Sequence, residues 1–210
     1  MLTDRDLKFL KDISKVRFLN TKRIFKLYNT EINCRVRLKQ MEKEGYISHP
    51  LAFPTKEFIY CPTKKTYKLL NSDGQVKILS DKINHYLAAS DFYFYMKDQL
   101  LNFDLEKQYE FISNNKKYSF RPDCAIELNN GKKVLVEIDL CNRRFKEKVD
   151  TWEEYFRSGT YKEEFEKFPP ILIVTTNITK VQTQIEKYKK IGLNYSYKDY
   201  MEISKWEYHY

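Results

Sequence analysis

The apolar residues of this chain change their spacing partway along, and that change sets the fold. Up to about residue 105 they recur at helical intervals behind capping residues; beyond it they gather in short runs separated by turns. Thr3 offers an N-cap, and Leu7, Leu10 and Ile13 follow one helical turn apart, so residues 4–15 are expected as a first helix. Leu19 before Asn20-Thr21 opens a second short helix with Ile24, Phe25, Leu27 and Tyr28 on its apolar side. Thr30 starts a third that runs to Glu44 and stops at Gly45, with Ile32, Val36, Leu38 and Met41 expected toward the core. Tyr46-Ile47-Ser48 and Phe58-Ile59-Tyr60 then read as two strands around a turn at residues 50–55.

Three helices and a hairpin, with a cationic third helix, is the layout of a winged helix-turn-helix. A major groove admits one helix, and Asn33, Arg35, Arg37 and Lys39 are left for the outward faces of this one. Lys56 in the wing, and Lys64 and Lys65 at its exit, are candidates for the neighbouring phosphates. Charge supports the reading. Residues 1–70 hold 16 Lys and Arg against 7 Asp and Glu, while the rest of the chain holds 22 of each sign. The whole surplus of +9 therefore lies in the first third, where double-stranded DNA would attract it by counterion release.

Residues 77–103 lack glycine and proline and predict one long helix, or two broken near Ser90, with Ile83, Leu87, Phe94 and Leu101 as its buried stripe. Its aromatic density (Tyr86, Phe92, Tyr93, Phe94, Tyr95) fits a core or a homodimer face better than base stacking. His85 and Asp91 would reach a metal only if this helix packed beside one. The expected organisation is thus a winged helix over 1–72, a bridging helix over 73–104 and an α/β domain over 105–210.

In that last domain, residues 109–113 and 117–120 form a predicted hairpin around Asn114-Asn115. A strand up to Leu128 and another over Lys133–Asp139 flank Asn129-Asn130-Gly131. Helices over 142–157 and 180–191, a buried strand at Ile171–Thr175 and a last strand over 193–197 complete a mixed sheet with flanking helices, in the α+β or α/β class.

The chemistry candidates are Asp123, Glu137 and Asp139. Positions 137 and 139 share a strand face, and the hairpin brings Asp123 opposite. Three carboxylates there would repel one another unless a hard cation, Mg²⁺ or Mn²⁺, joined them. The alternative is that they are ordinary strand-end acids paired with Arg121, Arg143 or Arg144.

These residues resemble the restriction-endonuclease-like superfamily, whose pattern is PD, a spacer, then (D/E)xK. Pro122-Asp123 and Glu137-Ile138-Asp139 match it, except that Asp139 stands where the superfamily places lysine. The resemblance implies a metal-dependent phosphodiester cleavage in which Lys148, 11 positions beyond Glu137, takes over that lysine's work. Across its length the chain resembles the replication–relaxation family of bacterial plasmids and integrative elements. The likeness rests on Leu2-Thr3-Asp4-Arg5-Asp6, Arg37-Leu38-Lys39 through Gly45-Tyr46-Ile47, and His85. It continues through Arg121-Pro122-Asp123, Glu137-Ile138-Asp139, Lys148 and Tyr155. An acid at position 139 is usual in that family. What the resemblance implies is a DNA-binding replication or mobilisation factor of a mobile element, with a nicking or cleaving domain. A non-catalytic DNA-binding regulator, and a protein-interaction adaptor or host-defence antagonist, remain the alternatives. Tyr155 also raises a covalent phosphotyrosyl link, against which stand the 17 tyrosines of the chain and the lack of an HxH cluster.

Composition removes other classes. The apolar runs are strand-sized and too short for a bilayer, and residues 1–6 begin no secretory signal, so a cytoplasmic location is expected. Cys34, Cys61, Cys124 and Cys141 form no CxxC pair and read as buried thiols rather than zinc ligands.

Overall fold

A computed structural model describes residues 2–28, 30–52, 57–72, 82–140 and 145–207. The chain divides into two compact units, one holding the residues up to Tyr95 together with the C-terminal end from Trp206 onward, the other Met96–Lys205.

The first unit opens with α1 (Asp4–Val16), whose N-terminus carries a reciprocal cap: Asp6 N–H donates to the Thr3 hydroxyl, and Thr3 N–H donates to Asp6 Oδ2 at 2.7 Å. After β1 (Leu19–Asn20) comes α2 (Thr21–Phe25), capped by Asn20, and then α3 (Glu31–Lys43), capped by Thr30. β2 (Ile47–Ala52) and β3 (Phe58–Pro62) form an antiparallel hairpin, and β1 joins the far side of β3 to give a three-stranded order β1-β3-β2. The hairpin register slips between Ser48 and Leu51, where Pro50 has no N–H to give the ladder. Phe9, Leu10, Ile13, Val16, Leu19, Ile24, Leu27, Leu38, Met41, Ile47 and Ile59 are all buried.

The packing of α3 departs from the sequence expectation. Ile32 and Val36 face solvent; Cys34 takes the core place beside Leu38 and Met41. Lys64 and Lys65, just past β3, sit on a short helix, α4 (Lys64–Leu69). Lys56 lies outside the described residues.

The expected helix over 77–103 is shorter, insofar as it is described. α5 (Ile83–Met96) runs unbroken through Ser90 and gives way to a 3-10 turn at Lys97–Gln99 and then to β4 (Leu100–Leu105). Leu101 is consequently exposed, not part of a buried stripe. Tyr86, Phe92, Tyr93 and Phe94 are buried, so this aromatic run is core. Asp91 accepts two hydrogen bonds from Arg23 of α2, at 2.8 and 2.5 Å, and a third from the indole of Trp206 at 2.7 Å. Trp206 stacks on Phe94 at 4.7 Å between ring centres, and its carbonyl accepts from Lys26 Nζ at 3.1 Å. Asp91 is thereby committed to an ion-pair and indole network.

The second unit is built on a five-stranded sheet. β5 (Tyr109–Ser113) and β6 (Lys116–Phe120) form a separate hairpin, closed by Asn114 and Asn115, both at positive φ as a tight two-residue turn requires. β7 (Cys124–Leu128) and β8 (Lys133–Asp139) follow, then α6 (Lys146–Ser158), β9 (Ile171–Thr175), α7 (Ile178–Tyr188), β10 (Tyr195–Asp199) and α8 (Tyr200–Ile203). Strand order is β10-β9-β8-β7-β4, with β8 central, parallel to β9 and antiparallel to β7. Leu135, Ile171, Ile173 and Ala125 lie in one buried cluster with Val149, Trp152 and Tyr155 of α6, so the odd-numbered face of β8 looks toward that helix. No described helix is long and apolar enough to cross a membrane.

Candidate functional site

Glu137 and Asp139 follow Leu135 on the face of β8 that α6 covers, and both are buried, at 2% and 5% exposure. Burial of acids at the end of a central strand needs compensation, and the local structure supplies it from two directions. Asp123 immediately precedes β7, whose Cys124 pairs with Val136. Its backbone carbonyl accepts from Glu106 N–H at 3.0 Å, and its Oδ2 accepts from Ile138 N–H at 2.7 Å. A side-chain oxygen thus takes the next rung of the ladder, and this fixes the Asp123 carboxylate beside Glu137, with which it shares a hydrogen bond. From the other side, Lys148 in the first turns of α6 donates to Glu137 Oε2.

The electrostatics follow from that geometry. Burial pushes the Glu137 carboxyl well above its ordinary value; the Asp123 charge pushes the same way and Lys148 opposes it. Two carboxyl groups in hydrogen-bond contact share one proton between them. Lys148 pays for partial burial, yet the charges of Glu137, Asp123 and Asp139 outweigh that cost and raise its ammonium pKa. Among the described residues, no three of His, Cys, Asp and Glu are grouped so as to hold a metal ion. The sequence pattern suggested three converging acids, whereas the contact joins two acids and a lysine.

Arg121 does not neutralise this group: its guanidinium donates to Gln108 Oε1, at 2.9 Å from Nε. Cys141, Arg143, Arg144 and His209 lie outside the described residues. The other fully buried acid of this unit, Glu153, accepts from the backbone N–H groups of Lys190 and Ile191 just past α7, which is a structural duty. Tyr155 is 2% exposed and ringed by Phe120 at 5.0 Å and Phe111 at 5.3 Å, with its hydroxyl pushed up by burial. It packs the core, and nothing in its surroundings activates it as a nucleophile.

In the first unit the candidate contact residues separate into two groups. Asn33, Arg35 and Lys39 are exposed along α3. Arg35 pairs with Glu31 at 3.5 Å and lies over the Phe25 ring. Arg37 instead turns inward, donating to the buried carboxylate of Asp6 on α1 and to Gln40 Oε1 at 2.7 Å. Lys64 is exposed. Lys65 donates to the Glu44 carbonyl at 2.6 Å and so caps the C-terminal end of α3, a role its sequence position did not disclose.

A family model described as Replication-relaxation matches residues 10–171. No curated protein matches the chain. Among solved structures, the chain is similar to one reported as the crystal structure of protein VC1899 from Vibrio cholerae. The two share 14% identity, with a TM-score of 0.37 over 94% of this chain and 48% of that one. The chain therefore spans about half the length of that protein.

Proposed function

The chain belongs to the replication-relaxation family, and on that premise we propose that it is a DNA-binding replication or mobilisation factor of a plasmid or other mobile element. The observation that carries the reading is the first unit. Its order of helix, strand, two helices and hairpin supports a winged-helix reading, and α3 presents Asn33, Arg35 and Lys39 to solvent in the part of the chain that holds all the surplus positive charge. In this reading α3 enters the major groove of double-stranded DNA and the hairpin meets the backbone beside it.

The second unit is read as a restriction-endonuclease-like domain that nicks or cleaves the bound duplex. Asp123 and Glu137 fit Mg²⁺ or Mn²⁺, because one or two carboxylates plus water suffice for such an ion and because a cation relieves the same repulsion that a proton relieves in the metal-free pair. When bound, the ion supplies the Lewis acidity that phosphodiester cleavage needs. Asp139 adds negative charge on the same face, and Lys148 bears on the phosphate charge that develops at the reacting bond. Supercoiled plasmid incubated with Mg²⁺ or Mn²⁺ tests this: nicked or linear product from the unaltered chain, and none from Asp123→Ala, is expected. Identical products from both would end the enzymatic reading.

One observation favours a second reading, a non-catalytic DNA-binding regulator with an inert nuclease-like domain. Among the described residues no three potential ligands are grouped for an ion, and Lys148 already occupies Glu137. That reading predicts salt-sensitive duplex binding unchanged by Glu137→Ala, with no metal-dependent nicking.

A further inference from the structure

The outward face of α3 carries a feature that phosphate contact alone does not require. Ile32 is 75% exposed and Val36 59%, the two most exposed large apolar side chains of the first unit among the described residues. At about 100° per residue, Ile32, Val36, Lys39 and Lys43 project into one sector of about 60°, with Arg35 on one flank and Asn33 on the other. Lys39 and Lys43 are exposed as well. The buried side is narrow and consists of Cys34, Leu38 and Met41. The helix therefore offers solvent two adjacent β-branched apolar groups inside a cationic frame.

The charge of the frame selects the occupant. An isologous pairing with a second copy would gather Lys39 and Lys43 of both copies into one interface, where like charges repel. A duplex major groove offers the complement: phosphates along both walls, and on its floor one strongly apolar group, the C5-methyl of thymine. Resting on the DNA-binding reading above, we propose that Ile32 and Val36 cover thymine methyl groups, so that α3 selects A·T pairs in the major groove. Arg35, Lys39 and Lys43 hold the helix against the phosphates, and Asn33 borders the apolar pair at the base edges.

The test uses the full chain and three duplexes of equal length at one salt concentration: alternating d(A-T), the same duplex with deoxyuridine for every thymidine, and alternating d(G-C). Removal of the methyls is expected to weaken binding by about fourfold for each one covered. In the Ile32→Ala, Val36→Ala double variant, whose two positions are exposed, the d(A-T) and deoxyuridine duplexes should bind alike while the salt dependence persists. Equal, salt-sensitive binding of the unaltered chain to the thymidine and deoxyuridine duplexes would overturn the inference and leave the DNA-binding function standing. Absence of binding to all three would overturn both. Self-association in sedimentation that the double variant abolishes would assign the face to a second copy and also overturn it.

Discussion

The guanidinium of Arg37, on α3, closes on the carboxylate of Asp6, on α1, and that carboxylate is 1% exposed. Asp6 also completes the Thr3 cap at the start of α1, so one side chain fixes a helix terminus and its distance from α3.

Loss of that pair should be felt as stability. Asp6→Ala leaves the Arg37 guanidinium without its buried acceptor and removes half of the reciprocal cap. Because Arg37 is a quarter exposed, the cost falls below that of a fully buried pair, at about 2 kcal/mol by denaturant unfolding. The pair is also an acid switch on stability. Burial alone would raise the Asp6 pKa, but hydrogen bonds from Arg37 and Thr3 outweigh it and hold the carboxyl below its ordinary value. Its contribution is present above the unfolded aspartate value of about 3.9 and is lost as pH falls through the lower folded value. The gap between the unaltered chain and Asp6→Ala should therefore narrow in melts taken below about pH 4.

Glu137 has the opposite sign. Its folded pKa is raised, so the folded state keeps a proton that the unfolded chain releases above about pH 4.3, and stability is lost as pH rises toward the folded value. Glu137→Gln removes that penalty. Its melting temperature relative to the unaltered chain should climb as pH rises above about 4.3, through the range in which the unfolded chain has lost the proton and the folded state keeps it. A constant difference across that range would show that Glu137 is not held protonated.

Lys148→Met should separate charge from scaffold at the same site. A rate loss of about 100-fold or more in metal-dependent nicking is expected, since the cation nearest the acids is gone. Duplex affinity should remain unchanged. A variant that nicks at the original rate removes Lys148 from the chemistry.

Tyr155 gives a prediction by contrast. Tyr155→Phe should preserve both nicking and folding, whereas Tyr155→Ala, which empties the centre of an aromatic cluster, should cost about 3–5 kcal/mol. Loss of nicking in the phenylalanine variant at unchanged stability would restore the hydroxyl to the mechanism.

On α3, Lys39→Ala should lower the slope of log affinity against log salt by about one phosphate's share. Arg37→Ala should leave that slope alone at temperatures where the variant stays folded, because its guanidinium is already engaged by Asp6.

Much of this was readable from residue order. The cap residues Thr3, Asn20 and Thr30 each stand where a helix begins, and Lys133–Asp139 and Ile171–Thr175 are strands over the predicted spans. Local chemistry fixes such features, and a sequence displays local chemistry. What it hid was set by distant partners. Ile32 and Val36 satisfy a helical apolar period, but so does the Cys34, Leu38, Met41 side, and only packing decides which faces inward. Arg37 reads as a surface cation until Asp6 arrives from 31 positions away. Leu100–Leu105 lacks a breaker that would end a helix, and becomes a strand because β7 lies alongside it. At the acid site, spacing placed Asp123 near Glu137. It did not reveal that Asp123 is held there by the Ile138 amide, which ties its carboxylate to the strand itself.

The place of Trp206 bears on how this protein can be taken apart. Its indole lies on Phe94 and seals Asp91, although the whole of the other unit separates them along the chain. Severing the backbone after Tyr95 would leave an N-terminal piece with a bare ring face and an under-coordinated carboxylate. The two halves are consequently not interchangeable cassettes: recombination that transplanted either one would have to carry both crossing strands of chain, or rebuild the seal.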